Sequence, residues 1–363
     1  MTAPPGVASE PASELATELA SELASALRDF LGAHAEPVVP AGDGGQVWSR
    51  LCGELGLAGL LVPESHGGLG FGPAELVAVA AELGRAVVGG PFVPGAVAAA
   101  SALSTLDGDC AGELLARIAG GRRSPVFVHM PLAAARRVTA ESTVDGSVTL
   151  TGSVGPVLAA PPPAPLLVAA DLGGTPVLVL VEGGAELTEL PSLDLSRPAW
   201  RVVFDGTPAR VLAGGDRAAG AVRRAEVATW IALGAECVGV AGHALELTVE
   251  HAKTRRQFGR PIGAFQAVQH KLADLTVTLE VARSAADYVV RCGGDERSAH
   301  TLAVKASEAA VTITTEAVQL HGGIGFTWEY PAHVLLRRAH AAAALAGTPD
   351  QHRRALFALL DER

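Results

Sequence analysis

The stretch "HAKTRRQFGRPIGAFQAVQHKLADL", His251 to Leu275, decides how this chain is read. The residues before it, "AEVATWIALGAECVGVAGHALELTVE", are rich in alanine and leucine and contain no proline, so a long helix runs into His251. That helix ends on basic residues and meets Phe258-Gly259 and Pro261, which break it. Arg255 and Gln257 therefore project near a helix end. An arginine placed there can form a charge-assisted pair with a phosphate. Cations also favour helix C-termini through the macrodipole with no ligand at all, and on the local pattern alone that reading comes first.

A second stretch, "QLHGGIGFTWEYPAHVLLRRA", runs from Gln319 to Ala339 behind the helical "AHTLAVKASEAAVTITTEAV". Gly322 and Gly323 end that helix as a C-cap would, and glycines also let a backbone come close to a cofactor. Working outward, the chain from about 216 to 363 is helical. Residues 121–215 change period: "STVDGSVTLTG" carries an Asp145-Gly146 hairpin signal and "PLLVAADLGGTPVLVLVEGG" a second at Gly173-Gly174, which together predict a small antiparallel barrel or sandwich. Residues 1–120 are helical again. There Leu15, Leu19, Leu23, Leu27 and Leu31 form an apolar stripe, and the "ESHGGLG" loop is read as a turn between helices. The expected fold class is α+β, mainly α, with a helical bundle as the main body.

Composition excludes several classes. Of the 363 residues, 49% are hydrophobic and 18% charged, too apolar for disorder, and the net charge of −10 argues against a nucleic-acid partner. Two uncharged stretches, between Arg85 and Asp107 and between Asp145 and Asp171, are punctuated by prolines and glycines and read as buried bends or strands rather than membrane spans. No basic segment precedes an apolar one at the N-terminus, so a cytoplasmic location is expected. Cys52, Cys110, Cys237 and Cys292 form no C-x-x-C pair and read as reduced thiols. His333 and His340 share a spacing of seven but have no acidic companions, so no metal site is expected.

Taken together, "RRQFGRPIGAFQ" and "QLHGGIGFTWEYP" resemble the acyl-CoA dehydrogenase family, and the resemblance extends over nearly the whole chain. "ELGLAGLLVPESHGGLGFGPAELVAVAAELGRA" is similar to that family's N-terminal helical domain, and "LDLSRPAWRVVFDGTPA" to the end of its β-domain. The resemblance implies a helical domain (1–120), a middle antiparallel β-domain (121–215) and a C-terminal four-helix bundle (216–363). It also implies FAD, an acyl-CoA thioester, and α,β-dehydrogenation in which a glutamate takes the α-proton while the flavin accepts the β-hydrogen. Carried over by position, Arg255 would meet the FAD pyrophosphate with Gln257 and Phe258 beside it. Gln266 matches the glutamine of the family's "FQ" pair. Gln319, Leu320, His321, Gly322 and Gly323 would cradle the adenosine half. Thr348 matches the threonine after the catalytic Glu-Gly. In this family such groups serve a flavin held by a neighbouring subunit.

Four departures change the expected role. The family's usual base precedes the Gly-Thr pair, and here that residue is Ala346. The base position used by other members, on the helix leading into Arg255, is Thr229, a poor base without activation. Trp230 follows it, where the family often has an arginine, and Glu226 one turn earlier is a weak candidate for a displaced base. The middle-domain segments that would hold flavin and thioester read "VFVHMPLAAARRVTA" and "TGSVGPVLAAPPPAP", without the family's small polar pattern. The expectation is a half-site subunit in a hetero-oligomer, α2β2, with a related acyl-CoA dehydrogenase chain. That partner supplies the base, the flavin-ring pocket and most of the acyl-CoA pocket, for a bulky thioester such as a steroid side-chain CoA ester. An electron-transfer flavoprotein or another acceptor takes the electrons. Two rivals are a self-sufficient homomeric dehydrogenase using Glu226 and a flavin-free scaffold that kept only the fold. The Gly347-Thr348-Pro349 sequence with Gln351 predicts a capped helix start, a loop well formed yet without a carboxylate.

Overall fold

The computed structural model describes residues 10–34, 44–121, 124–128, 138–143, 147–158 and 164–361. In chain order, helices α1 (Glu10–His34), α2 (Gly44–Leu55), α3 (Pro73–Arg85), α4 (Ala100–Leu103) and α5 (Asp109–Ala119) come first. Seven strands follow: β1 (Val126–Val128), β2 (Thr139–Ser142), β3 (Val148–Leu158), β4 (Leu166–Leu172), β5 (Thr175–Val181), β6 (Glu186–Leu190) and β7 (Ala199–Gly214). Then come α6 (Gly215–Thr254), the short strands β8 (Arg256–Gln257) and β9 (Arg260–Pro261), α7 (Gln266–Arg291), α8 (Glu296–His321), α9 (Ala332–Ala346) and α10 (Pro349–Asp361). Helices, sheet, helices is the order expected. The Asp145-Gly146 turn signal and parts of the two departing middle-domain segments (129–137 and 159–163) lie outside the described residues.

The chain divides into two compact units, one of residues 41–72 and 89–229, the other of residues 1–40, 73–88 and 230–363. In the first, β4, β2, β3, β7 and β5 pair in sequence and β5 pairs back to β4, closing a barrel, with β6 added on β7. Its interior is filled by β-branched and aliphatic side chains, among them Val148, Leu150, Val179, Val202 and Phe204. The Gly173-Gly174 hairpin forms as expected: both glycines have positive φ, 59° and 90°, and Leu172 faces Thr175. One feature differs from an all-antiparallel sheet. β4 runs parallel to β1 and to the start of β2, because the β2–β3 hairpin intervenes in sequence and turns the chain before β4 arrives. The stretch around Phe92–Leu103 is a fully buried helix rather than a span.

In the second unit small residues let helices meet backbone to backbone. A Cβ on Gly239 would stand 1.8 Å from the Ala81 carbonyl oxygen, and one on Gly84 would stand 2.3 Å from that of Glu236. This is how α3 seats against α6. Arg338 on α9 is fully buried, 3.5 Å from the Glu236 carboxylate, and donates to the carbonyls of Val87 and Val88 at 3.1 Å. Those carbonyls belong to a turn in which Val87 has φ 52°, a strained conformation for a β-branched residue that Arg338 holds in place. The α1 leucine stripe is only partly buried: Leu27 and Leu31 are inside and Leu19 is exposed. A spacing of four advances about 40° per step on a helix, so the stripe winds off the packed face. α6 is long and apolar enough to cross a bilayer by composition, yet 78% of its most apolar window is buried within the protein, as in a core helix.

Candidate functional site

The C-terminal ends of α6 and α8 meet through three rings. His251 stacks on His321 with centroids 4.3 Å apart, and Tyr330 packs on His321 at 4.5 Å while its hydroxyl donates to the Leu247 carbonyl at 3.4 Å. Arg255 lies one helical turn beyond His251, at this same end of α6. Burial holds both imidazoles below the ordinary histidine range; for His251 the positive charge of Arg255 adds to it. His321 Nδ1 lies 2.6 Å from the Ala317 carbonyl oxygen, which can only accept, so Nδ1 carries the proton and Nε2 is a bare acceptor. His321 is 6% exposed, and Nε2 has no hydrogen-bond partner among the described residues. A buried acceptor without a donor costs free energy unless a ligand supplies one.

Beside it, β8 and β9 form a hairpin whose two tip residues, Phe258 and Gly259, have φ 50° and 80°. That is the mirror-image turn expected between two-residue strands, but a phenylalanine there is strained by about 1–2 kcal/mol. Phe258 is also 91% exposed, touching Phe265 only edge-on with centroids 6.2 Å apart. Arg260 lies 4.0 Å over the Phe265 ring, fixing the base of the hairpin. Arg255 and Gln257 are exposed, and no carboxylate among the described residues pairs with Arg255. Gly322 has φ 62° and ψ −139°, a region open essentially to glycine, and the space where its Cβ would stand is empty. Gln319 and Gly323 are exposed and Leu320 is half-buried. Gln266 is the first residue of α7 and exposed. An exposed cation with no ion pair among the described residues, exposed amides and an open glycine turn, with a bare acceptor buried beside them, make a polar edge suited to an anionic ligand.

The residues at the expected base positions are closed off. Glu226 is bound by Arg223 at 3.0 Å, and the Thr229 hydroxyl donates to the Ala225 carbonyl at 2.8 Å. Trp230 is fully buried. Ala346 is 2% exposed. After it the predicted capping box is present: Gln351 N–H donates to Thr348 Oγ1 at 3.3 Å, and Thr348 N–H donates to Gln351 Oε1 at 2.8 Å. Thr348 stands apart from the polar edge. Its loop faces the start of α8, where His352 meets His300, and Gln319 lies nineteen residues further along that helix, about 28 Å.

His251 and Tyr330 were not singled out by sequence. The spacing of His251 to Arg255, one turn, was the available signal; the contact with His321 joins residues seventy apart and had none. His333 is buried edge-on against Trp328 while His340 is exposed, and no cluster of metal-ligating side chains occurs among the described residues. All four cysteines are free thiols, with Cys52 pushed up to about 11 by burial.

Two family models match the chain: "Acyl-CoA dehydrogenase, N-terminal domain" over residues 17–107 and "Acyl-CoA dehydrogenase, C-terminal domain" over residues 229–358. Acyl-CoA dehydrogenase IpdE2 of Mycobacterium tuberculosis is 33% identical over 305 residues, covering 84% of this chain and 83% of the relative. Among solved structures, a chain of the Tcur3481-Tcur3483 steroid ACAD is 29% identical with a TM-score of 0.85, covering 96% of this chain and 99% of the other. A chain of the ChsE4-ChsE5 complex from Mycobacterium tuberculosis is 26% identical with a TM-score of 0.86, covering 95% and 97%.

Proposed function

The chain belongs to the acyl-CoA dehydrogenase family, and from that premise we propose that it is the half-site subunit of a heteromeric, FAD-dependent acyl-CoA dehydrogenase. One observation carries this reading. Arg255, Gln257, Gln266 and Gln319 are exposed, with no ion pair to Arg255 among the described residues, while the positions that would hold a base are a methyl group, a bonded hydroxyl and a paired carboxylate. The residues present therefore fit the ADP half of the cofactor and do not fit proton abstraction by this chain.

In this role Arg255 pairs with the pyrophosphate, and Gln257, Gln266 and Gln319 add hydrogen bonds around it. The bare backbone at Gly322-Gly323 would let the adenosine come close, and His321 Nε2, buried beside it, would be an acceptor only for a group that reaches below the surface. Phe258, already held outward at the hairpin tip, would be available to pack on the cofactor. FAD, when bound, supplies the two-electron acceptor for dehydrogenation of the thioester. This chain binds and orients it, and a related subunit supplies the carboxylate base. The two-chain makeup of the steroid ACAD and ChsE4-ChsE5 structures supports a hetero-oligomer, α2β2, and a bulky CoA thioester such as a steroid-derived one as the substrate class to assay first. A cytoplasmic location and an electron-transfer flavoprotein as acceptor belong to the same proposal.

The test is to purify the chain alone and co-expressed with a related chain encoded beside it, and to assay acyl-CoA oxidation in each. Turnover in the mixed complex and none from the lone chain is expected. Turnover from the lone chain overturns the half-site reading and favours Glu226 or another internal base. A stable mixed complex without flavin would favour the scaffold.

A further inference from the structure

The loop after α9 is fastened from within the bundle by two histidines that have no part in the proposed cofactor edge. His352, in the first turns of α10, is fully buried, and its Nε2 lies 2.9 Å from the Ala346 carbonyl oxygen. A carbonyl only accepts, so Nε2 carries the proton. Burial holds this imidazole below its ordinary value of 6.5, so the ring is neutral near pH 7 and Nδ1 is a bare acceptor. That Nδ1 is 2.7 Å from Nδ1 of His300, on α8 and also fully buried. His300 must therefore donate. One backbone carbonyl dictates the tautomer of one ring, and that ring dictates which nitrogen of the next bears a proton.

The surroundings close the pair. From α6, Trp230 lies over His300 with centroids 4.3 Å apart and edge-on to His352 at 5.5 Å. From α8, Glu296 Oε1 is 3.7 Å from His300 Nε2. From α9 the facing group is the Ala346 carbonyl. At the rim, Arg353 of α10 pairs with Asp350 at 3.1 Å and with Glu308 of α8.

We propose that His352 and His300 are positioning residues forming a proton-operated latch on the Ala346-Gly347-Thr348 loop, closed while their facing Nδ1 atoms hold one proton and opened by a second. With both Nδ1 atoms protonated, two N–H donors would point at each other across 2.7 Å, and the contact cannot survive. Gly347, at φ 103°, gives the loop a backbone conformation and freedom that other residues lack. The sign follows from linkage. A histidine held below 6.5 in the closed state binds fewer protons than in the open one, so the latch is at full strength above pH 6.5 and weakens as pH falls toward the depressed value. Trp230, which stands where the family often has an arginine, has its place in this cage.

The latch needs only this chain and stands whether or not the flavin reading holds. The experiment is ring 15N NMR of the histidine-labelled full chain, with hydrogen exchange of residues 341–352 corrected for intrinsic rates, from pH 7.5 to 5.5. His352 is expected as the neutral Nε2–H tautomer at pH 7.5. Exchange protection of the loop is expected to fall about ten-fold by pH 5.5, as for loss of one buried hydrogen bond. His352→Gln, whose amide can both accept from His300 and donate to Ala346, keeps the protection and loses its pH dependence. A His352 ring found as the Nδ1–H tautomer or charged at pH 7.5, or a pH dependence unchanged in His352→Gln, overturns the proposal.

Discussion

Two regions of the helical unit are built from similar residues and treat them oppositely. At the shared end of α6 and α8, His251, His321 and Tyr330 stack into a firm base, yet the groups around it are left open: Arg255 is exposed with no ion pair among the described residues, Phe258 is strained and exposed, and the buried His321 Nε2 has no hydrogen-bond partner among the described residues. At the other end of α8, His300, His352 and Trp230 also stack, and there His352 is bonded on both sides, to the Ala346 carbonyl and to His300. A buried acceptor left without a donor costs free energy, whereas an exposed cation is solvated and remains available to an anion. The open end therefore offers an exposed cation and exposed amides to a ligand, while both nitrogens of His352 at the closed end are engaged within the chain. On the half-site proposal, the open end would hold part of a cofactor, and the closed end, with Ala346 at the usual base position, would abstract no proton.

The contrast can be broken most heavily from the closed side. α9 carries the Ala346 loop and is anchored by the buried Arg338–Glu236 pair. Arg338→Met strips a buried carboxylate of this partner, and a loss of about 3–5 kcal/mol is expected in urea unfolding. The double variant with Glu236→Gln should recover a large part of it; no recovery would mean the pair is not the anchor. On the open side, Arg255→Ala in the mixed complex should weaken FAD retention by ten-fold or more, in line with about 1.5–3 kcal/mol for a charge-assisted hydrogen bond. The unfolding stability of the lone chain should move by less than about 0.5 kcal/mol, since the residue is exposed and has no ion pair among the described residues. Unchanged flavin content would remove Arg255 from the site. Thr348→Ala removes the capping box and should cost about 1 kcal/mol of stability while leaving flavin content alone, because Thr348 stands far from the polar edge. The smallest effect is expected for Glu226→Gln. Turnover of the complex should be unaffected, and its loss in a folded variant would return the base to this chain.

Local signals in the sequence were reliable. Gly173-Gly174 had to make a mirror-image hairpin, and Thr348-Pro349 with Gln351 had to start a helix, because each depends on residues within a few positions of one another. The order of helices and strands was legible in the sequence, and two motifs brought Arg255 and Gln319–Gly323 forward as the residues of the proposed site. What could not be read was long-range. The parallel contacts of β4, the ring stack joining His251 to His321, and the Nδ1–Nδ1 contact of His300 and His352 all join residues separated by tens of positions. No periodicity records such pairs. Trp230 illustrates the point: in sequence it marks a missing arginine, and in the fold it covers a histidine pair.

The half-site claim is tested most directly by counting flavin. In the purified hetero-oligomer, the flavin absorbance of the denatured sample and the amount of each chain give FAD per polypeptide. The account predicts one FAD for each pair of unlike chains. One FAD for every chain would mean that this subunit completes a flavin site of its own, and would contradict it.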